Sequence, residues 1–146
     1  YGPGGYHYND SWDMIFNVSE DTYLSSIDVN AQNSGAITLD IINGNGSVFA
    51  QFDYNLNPGW NTLNLETLIP QGNNYTIGVT GNNQSIGLYR NNAVPNDVFP
   101  IEIADRITII GNTTDSPESY FYNWTIDASC SGSLTNQESF LNYISM

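Results

Sequence analysis

Short runs of alternating apolar and polar residues make up most of this chain. Met14, Phe16 and Val18 fall on one side of an extended segment, and Trp12 continues the same face. From Leu24 to Ala31 the pattern turns Ile27 and Val29 inward. Ala36 to Ile42 is nearly continuous in apolar residues, as a buried strand is. Ser47 to Tyr54 carries Val48, Phe49 and Phe52, and Trp60 to Leu65 carries Leu63 and Leu65. Tyr75–Val79, Ile86–Arg90, Arg106–Ile110 and Ser119–Ile126 have the same character. Val98–Ile103 contains Pro100, which cannot donate to a ladder, so this run reads as an edge strand. No stretch has a helical period.

Turn residues separate the runs. Asn43-Gly44-Asn45-Gly46 holds the strongest short hairpin signal twice. Asn57-Pro58-Gly59, Pro70-Gln71-Gly72-Asn73-Asn74 and Gly81-Asn82-Asn83 follow. Turns recurring roughly every eight to twelve residues predict an all-β fold, a two-sheet antiparallel β-sandwich of the jelly-roll kind. At 146 residues, with 40% apolar, the chain holds one such domain. The boundaries read as a Tyr- and Gly-rich leader or linker over 1–10, the sandwich over 11–128, and a tail or linker over 129–146 that breaks the strand pattern.

Charge narrows the partners. Lys plus Arg is 2 against 15 for Asp plus Glu, a net charge of −13. A duplex or an anionic lipid surface is repelled by such a chain, which argues against nucleic acid and membrane surfaces. No apolar run is long enough for membrane insertion. Acidity of this degree serves solubility, or it attracts divalent cations. Cys130 is the single cysteine, so an internal disulfide is excluded. Asn occurs 21 times, and seven of these open Asn-X-Ser/Thr triplets, a pattern that an Asn- and Thr-rich composition also produces by chance. The polar, weakly charged surface suits a secreted or cell-surface setting.

Aromatic rings are the main candidate chemistry. Read as an unbroken strand, Tyr120, Tyr122 and Trp124 share one face. With Trp60 and Tyr89, and with Tyr6 and Tyr8 upstream, they offer flat apolar surfaces of the kind that bury the C–H faces of sugars. Arg90, Asn91, Asn92 and Asn123 are the polar groups expected to orient such a ligand. The competing assignment puts the rings between the sheets and pairs Arg90 with a nearby carboxylate. At least two solvent-accessible, coplanar rings among Trp60, Tyr89, Tyr122 and Trp124 favour binding; burial of all four favours a spacer. For Trp60, which follows the Asn57-Pro58-Gly59 turn, an exposed binding ring and an inter-sheet plug are equally open.

Metal and catalytic chemistry have less to rest on. Asp10, Asp13 and Asp127 are candidate oxygen ligands for a structural Ca²⁺, on the condition that the first and last strands meet. No segment has the spacing of an EF-hand loop. His7 is the only histidine and lies in the leader, and no phosphate-binding loop precedes a helix. The chain is therefore read as a non-enzyme.

Several segments resemble a β-sandwich module that recurs in large secreted and cell-surface proteins of Bacteroidetes, similar to jelly-roll carbohydrate-binding domains. They are Phe16-Asn17-Val18, Leu24 to Val29, Ile37-Thr38-Leu39-Asp40-Ile41 and Tyr75-Thr76-Ile77-Gly78-Val79. More specific are Leu88-Tyr89-Arg90-Asn91, Phe99-Pro100, Ile107-Thr108-Ile109 and Tyr120-Phe121-Tyr122-Asn123-Trp124. The resemblance spans roughly residues 12 to 127. It implies a secreted accessory module beside other domains. The expected function is thus non-catalytic binding of polysaccharide or another glycan within a larger protein. The alternative is a structural or adhesive spacer that contacts neighbouring domains or surface proteins and takes no small ligand.

Overall fold

The computed structural model describes residues 4–8, 13–81, 83–91, 100–113 and 121–128. Eleven strands appear in chain order: β1 (Gly4–His7), β2 (Met14–Val18), β3 (Thr22–Ala31), β4 (Gly35–Ile42), β5 (Val48–Leu56), β6 (Gly59–Ile69), β7 (Gly72–Gly81), β8 (Leu88–Asn91), β9 (Ile101–Ile103), β10 (Ile107–Asn112) and β11 (Tyr122–Ala128). A single helical turn, α1 (Asn83–Ile86), links β7 to β8.

The strands form two antiparallel sheets packed face to face. One has six strands in the order β5-β4-β7-β2-β10-β9. The other has five, with β3 at its centre: β6 pairs along one edge of β3, while β11 and β8 share the other, and β1 pairs with β8. Only the β4–β5 and β9–β10 hairpins stay within a sheet; every other step along the described strands changes sheet. This all-β sandwich is the architecture expected from the turn spacing, and its repeated crossing is compatible with a jelly roll.

Alternation fills the core. Met14, Phe16 and Val18 from β2 face Leu24, Ile27 and Val29 from β3, with Ile37, Leu39, Ile41, Leu63 and Ile77 around them, all essentially without solvent contact. Burying a side chain such as Phe16 is worth about 1.5–3 kcal/mol. The Phe16 ring stacks on Tyr75 at 5.4 Å, and the Tyr75 hydroxyl donates to the Pro70 carbonyl. Tyr54 ties the two sheets at one side, its hydroxyl donating across to the Asn64 carbonyl at 2.7 Å.

Two expectations change. The segment read as a leader supplies β1, whose Gly5, Tyr6 and His7 pair with Arg90, Tyr89 and Leu88. A strand with two glycines and one outward ring shows no apolar period, so alternation could not announce it. β6 also runs on to Ile69, past Leu65, because Glu66 adopts a φ of 49° and absorbs an extra residue against β3. Pro100 does precede a short edge strand, β9, at the end of the six-stranded sheet. Trp12, Tyr120, Cys130 and the rest of the segment expected as a tail lie outside the described residues.

Candidate functional site

The outer face of the five-stranded sheet collects the rings. Its geometry starts from β3, whose Ile27, Val29 and Ala31 point into the core, so that Asp28 and Asn30 point out. Across the ladder Asn30 is opposite Trp60 on β6, and Asp28 is opposite Thr62 on β6 and Tyr122 on β11. Beyond the end of β11, Tyr89 on β8 and its partner Tyr6 on β1 lie on the same side. The face thus carries two polar residues at its centre, Asp28 and Asn30, with rings on both flanks.

Trp60 is the most open of these rings, 48% exposed. Tyr122 is 9% exposed and meets Trp60 edge to face, centroids 5.3 Å apart and planes at 85°. The Tyr122 hydroxyl donates to the Tyr89 carbonyl at 3.2 Å, bridging β11 to β8. Tyr6, 36% exposed, packs edge-on against Tyr89 at 5.5 Å and donates its hydroxyl to Asn30 Oδ1 at 3.3 Å. Asp28 accepts one bond on each oxygen, from Thr62 Oγ1 at 2.8 Å and from Asn123 Nδ2 at 2.9 Å. Those bonds hold the carboxylate while leaving further lone pairs on it. Further along the same face lie Tyr23, bonded to Glu66, and Asp127, whose carboxyl is pushed above the usual range by burial and then by Glu66.

The structure separates Tyr122 from Trp124. Tyr122 pairs with Asp28 and Thr125 with Ser26, so β11 holds one residue more than β3 over this span. The extra residue is absorbed where Asn123 takes a φ of 49°. Such a bulge reverses the phase of alternation. Tyr122 faces out, and Trp124 turns into the sandwich to meet Phe16 edge-on at 5.5 Å. Among the described residues the buried Trp124 Nε1 finds no acceptor. The shared face expected for Tyr122 and Trp124 is therefore corrected: Trp124 belongs to the packed interior.

Arg90 is corrected as well. It is 8% exposed and lies on the side of β8 occupied by the fully buried Leu88, opposite Tyr89. It does not share the face that carries Trp60. Asn91 pairs through its backbone with Gly4 at the end of the β1–β8 ladder, and Asn92 lies outside the described residues.

The proposed metal ligands do not converge. Asp127 stands on the outer face of the five-stranded sheet, opposite Tyr23. Asp13 stands on the outer face of the other sheet, lying over Gly78 where any Cβ would collide with its carboxylate. Its neighbour there is the buried Asp40, which accepts from Gln51 Nε2 at 2.8 Å. Burial first, and then Asp40, raises the Asp13 carboxyl above its ordinary range. Asp10 lies outside the described residues, among which no group of three or more His, Cys, Asp or Glu is placed to hold a metal. Ca²⁺ needs six to eight oxygens about one point, and residues on opposite faces of a sandwich cannot supply them.

The rings, then, split. Trp60 is open, Tyr89 and Trp124 are half-buried, and Tyr122 is nearly covered. Asp28, Asn30 and Thr62 were missed in the sequence, although they occupy the polar phase of β3 and β6 directly beside Trp60. No known protein family, curated protein or solved structure matches this chain. Among the described residues no helix is long and apolar enough to cross a membrane.

Proposed function

We propose that this chain is a non-catalytic accessory module that binds polysaccharide through the outer face of its five-stranded sheet. The observation that carries the reading is Trp60: a large ring, half exposed on the outer sheet face, braced edge-on by Tyr122 and set beside Asp28, Asn30 and Thr62. A braced indole offers a sugar a flat apolar surface at little cost in side-chain entropy. The neighbouring carboxylate and amide supply acceptors for ring hydroxyls. Within a larger secreted or surface protein, as the likeness to Bacteroidetes modules suggests, such binding would raise the effective concentration of an adjoining domain at a polymeric substrate.

Gel retardation against a panel of soluble polysaccharides tests this. Retardation of the wild type by at least one polymer, lost in Trp60→Ala, is the expected result. A wild type that migrates freely through every polymer would overturn the reading. Incubation with the same polymers is expected to release no new reducing ends.

One set of observations favours a second reading, a structural or adhesive spacer. The rings meet at steep angles rather than lying coplanar, and Tyr122 and Trp124 are spent largely on packing. On that reading Trp60 is a contact for a neighbouring protein domain, and its replacement leaves polysaccharide migration unchanged.

A further inference from the structure

We infer that the polymer recognised by this face is uncharged, a neutral glycan rather than a uronate- or sulfate-bearing one; the inference rests on the polysaccharide reading above and names the class of its ligand. It follows from where the charges stand. The chain has two cationic side chains in all, Arg90 and Arg106. Arg106 is in the β9–β10 hairpin of the six-stranded sheet, where its Nη1 bonds Glu20 at 2.9 Å. Arg90 is buried on the side of β8 away from Tyr89. Neither guanidinium is on the face that carries Trp60.

Among the described residues, the charged groups on that face are all acidic. Asp28 lies between Thr62 and Tyr122 in the ladder, two residues along β3 from Asn30, which is opposite Trp60, and Glu66 and Asp127 stand further along the face. An anionic polymer laid across Trp60 would bring a negative charge against Asp28 at each repeat, with no fork of donors to receive it. The surrounding chain, at −13, adds repulsion out to about one Debye length, ~10 Å at 0.1 M salt. Hydroxyls meet the opposite situation. Asp28 has lone pairs left after Thr62 and Asn123 have donated to it, and each vicinal hydroxyl of a neutral sugar is a donor of the right reach. Selection here works mainly by exclusion: the same carboxylate that accepts hydroxyls rejects uronates.

The experiment is affinity electrophoresis, followed by titration calorimetry, with neutral polymers (mixed-linkage glucan, xylan, galactomannan) and anionic ones (polygalacturonate, alginate, dextran sulfate). Each is run at low salt and at about 0.5 M NaCl, where the Debye length falls to roughly 4 Å. At least one neutral polymer is expected to retard the wild type, with affinity changing less than about twofold between the two salts. Trp60→Ala is expected to lose about tenfold or more, with a cooperative thermal melt no more than roughly 2–4 °C lower reporting an intact fold. An anionic polymer bound as tightly as any neutral one, and lost in Trp60→Ala, overturns the neutral class while the polysaccharide reading survives. Neutral binding that Trp60→Ala retains places the ligand elsewhere and overturns the inference. Absence of binding to all six polymers ends the polysaccharide reading itself, and this inference with it.

Discussion

Asn123 stands between two rings that it sends in opposite directions: Tyr122 outward against Trp60, Trp124 inward against Phe16. One residue in the left-handed region thus decides which aromatic of β11 belongs to a surface and which to the core. The two indoles of the described sandwich are thereby assigned different work.

Replacing each indole with alanine separates the two roles. Trp124→Ala opens a hole against Phe16 and is expected to cost about 3 kcal/mol, a fall in Tm of roughly 6–12 °C for a chain of this size. Trp60 is half exposed, so Trp60→Ala loses an edge-to-face contact and less burial than Trp124→Ala, and is expected to cost about 1 kcal/mol or less. Polysaccharide retention moves the other way, abolished in Trp60→Ala. A larger destabilisation from Trp60→Ala than from Trp124→Ala would reverse the assignment.

At position 123 the backbone sets the test. A β-branched residue at a φ of 49° costs about 1–2 kcal/mol, while glycine takes that conformation freely. Asn123→Val is therefore expected to destabilise the domain by at least that amount. Asn123→Gly gives up the exposed bond to Asp28, and falls between Asn123→Val and the wild type in urea midpoint. Equal midpoints for the Val and Gly variants would mean that the bulge relocates.

How far the fold could be read in the sequence follows from the same physics. The period of two marks strands reliably, and Phe16, Ile27, Val29, Leu39 and Leu63 all face the core as alternation predicts. Arg90 is legible too: counting by two from the apolar Leu88 places it on the buried side, whatever its charge. Bulges defeat counting, because a single extra residue reverses every position after it. At Asn123 the residue type was the one available clue, since asparagine tolerates positive φ better than most. The hydrogen-bonded centre of the site, Asp28 with Thr62 and Asn30 with Tyr6, joins residues far apart in sequence, and only strand register brings them together.

The β9–β10 hairpin turns through three residues, Ala104 to Arg106; its β-turn has Ala104 and Asp105 as central residues, with φ of 50° and 57°, and Arg106 N–H donates to the Ile103 carbonyl at 3.0 Å. Both central residues sit in the conformation that Asn-Gly adopts most readily. Replacing the pair by Asn-Gly is expected to stabilise the domain by about 1 kcal/mol, raising Tm by roughly 2–4 °C. A thermal melt that stays in place or moves down would show that Ala104 carries no strain.

Asp13 gives the fold an unusual response to acid. Its carboxyl is held above its ordinary value of 3.8 by burial and, secondarily, by Asp40. A group whose folded pKa is raised binds its proton more tightly in the native state than in the unfolded one. Its contribution to stability therefore falls as pH rises through the folded-state pKa, and is least favourable at neutral pH, where the buried carboxylate is charged. Mild acidification from pH 7 is expected to strengthen this contribution, the reverse of a salt-bridged carboxylate. Asp13→Asn keeps the shape that fits over Gly78 and removes the charge, so its Tm is expected to exceed that of the wild type at pH 7, with the gap closing towards pH 4. Asp127, raised by burial and by Glu66 but more exposed, is expected to show the same sign with a smaller gap in Asp127→Asn. A gap in Asp13→Asn that persists unchanged at pH 4 would trace the effect to packing at Gly78 rather than to charge.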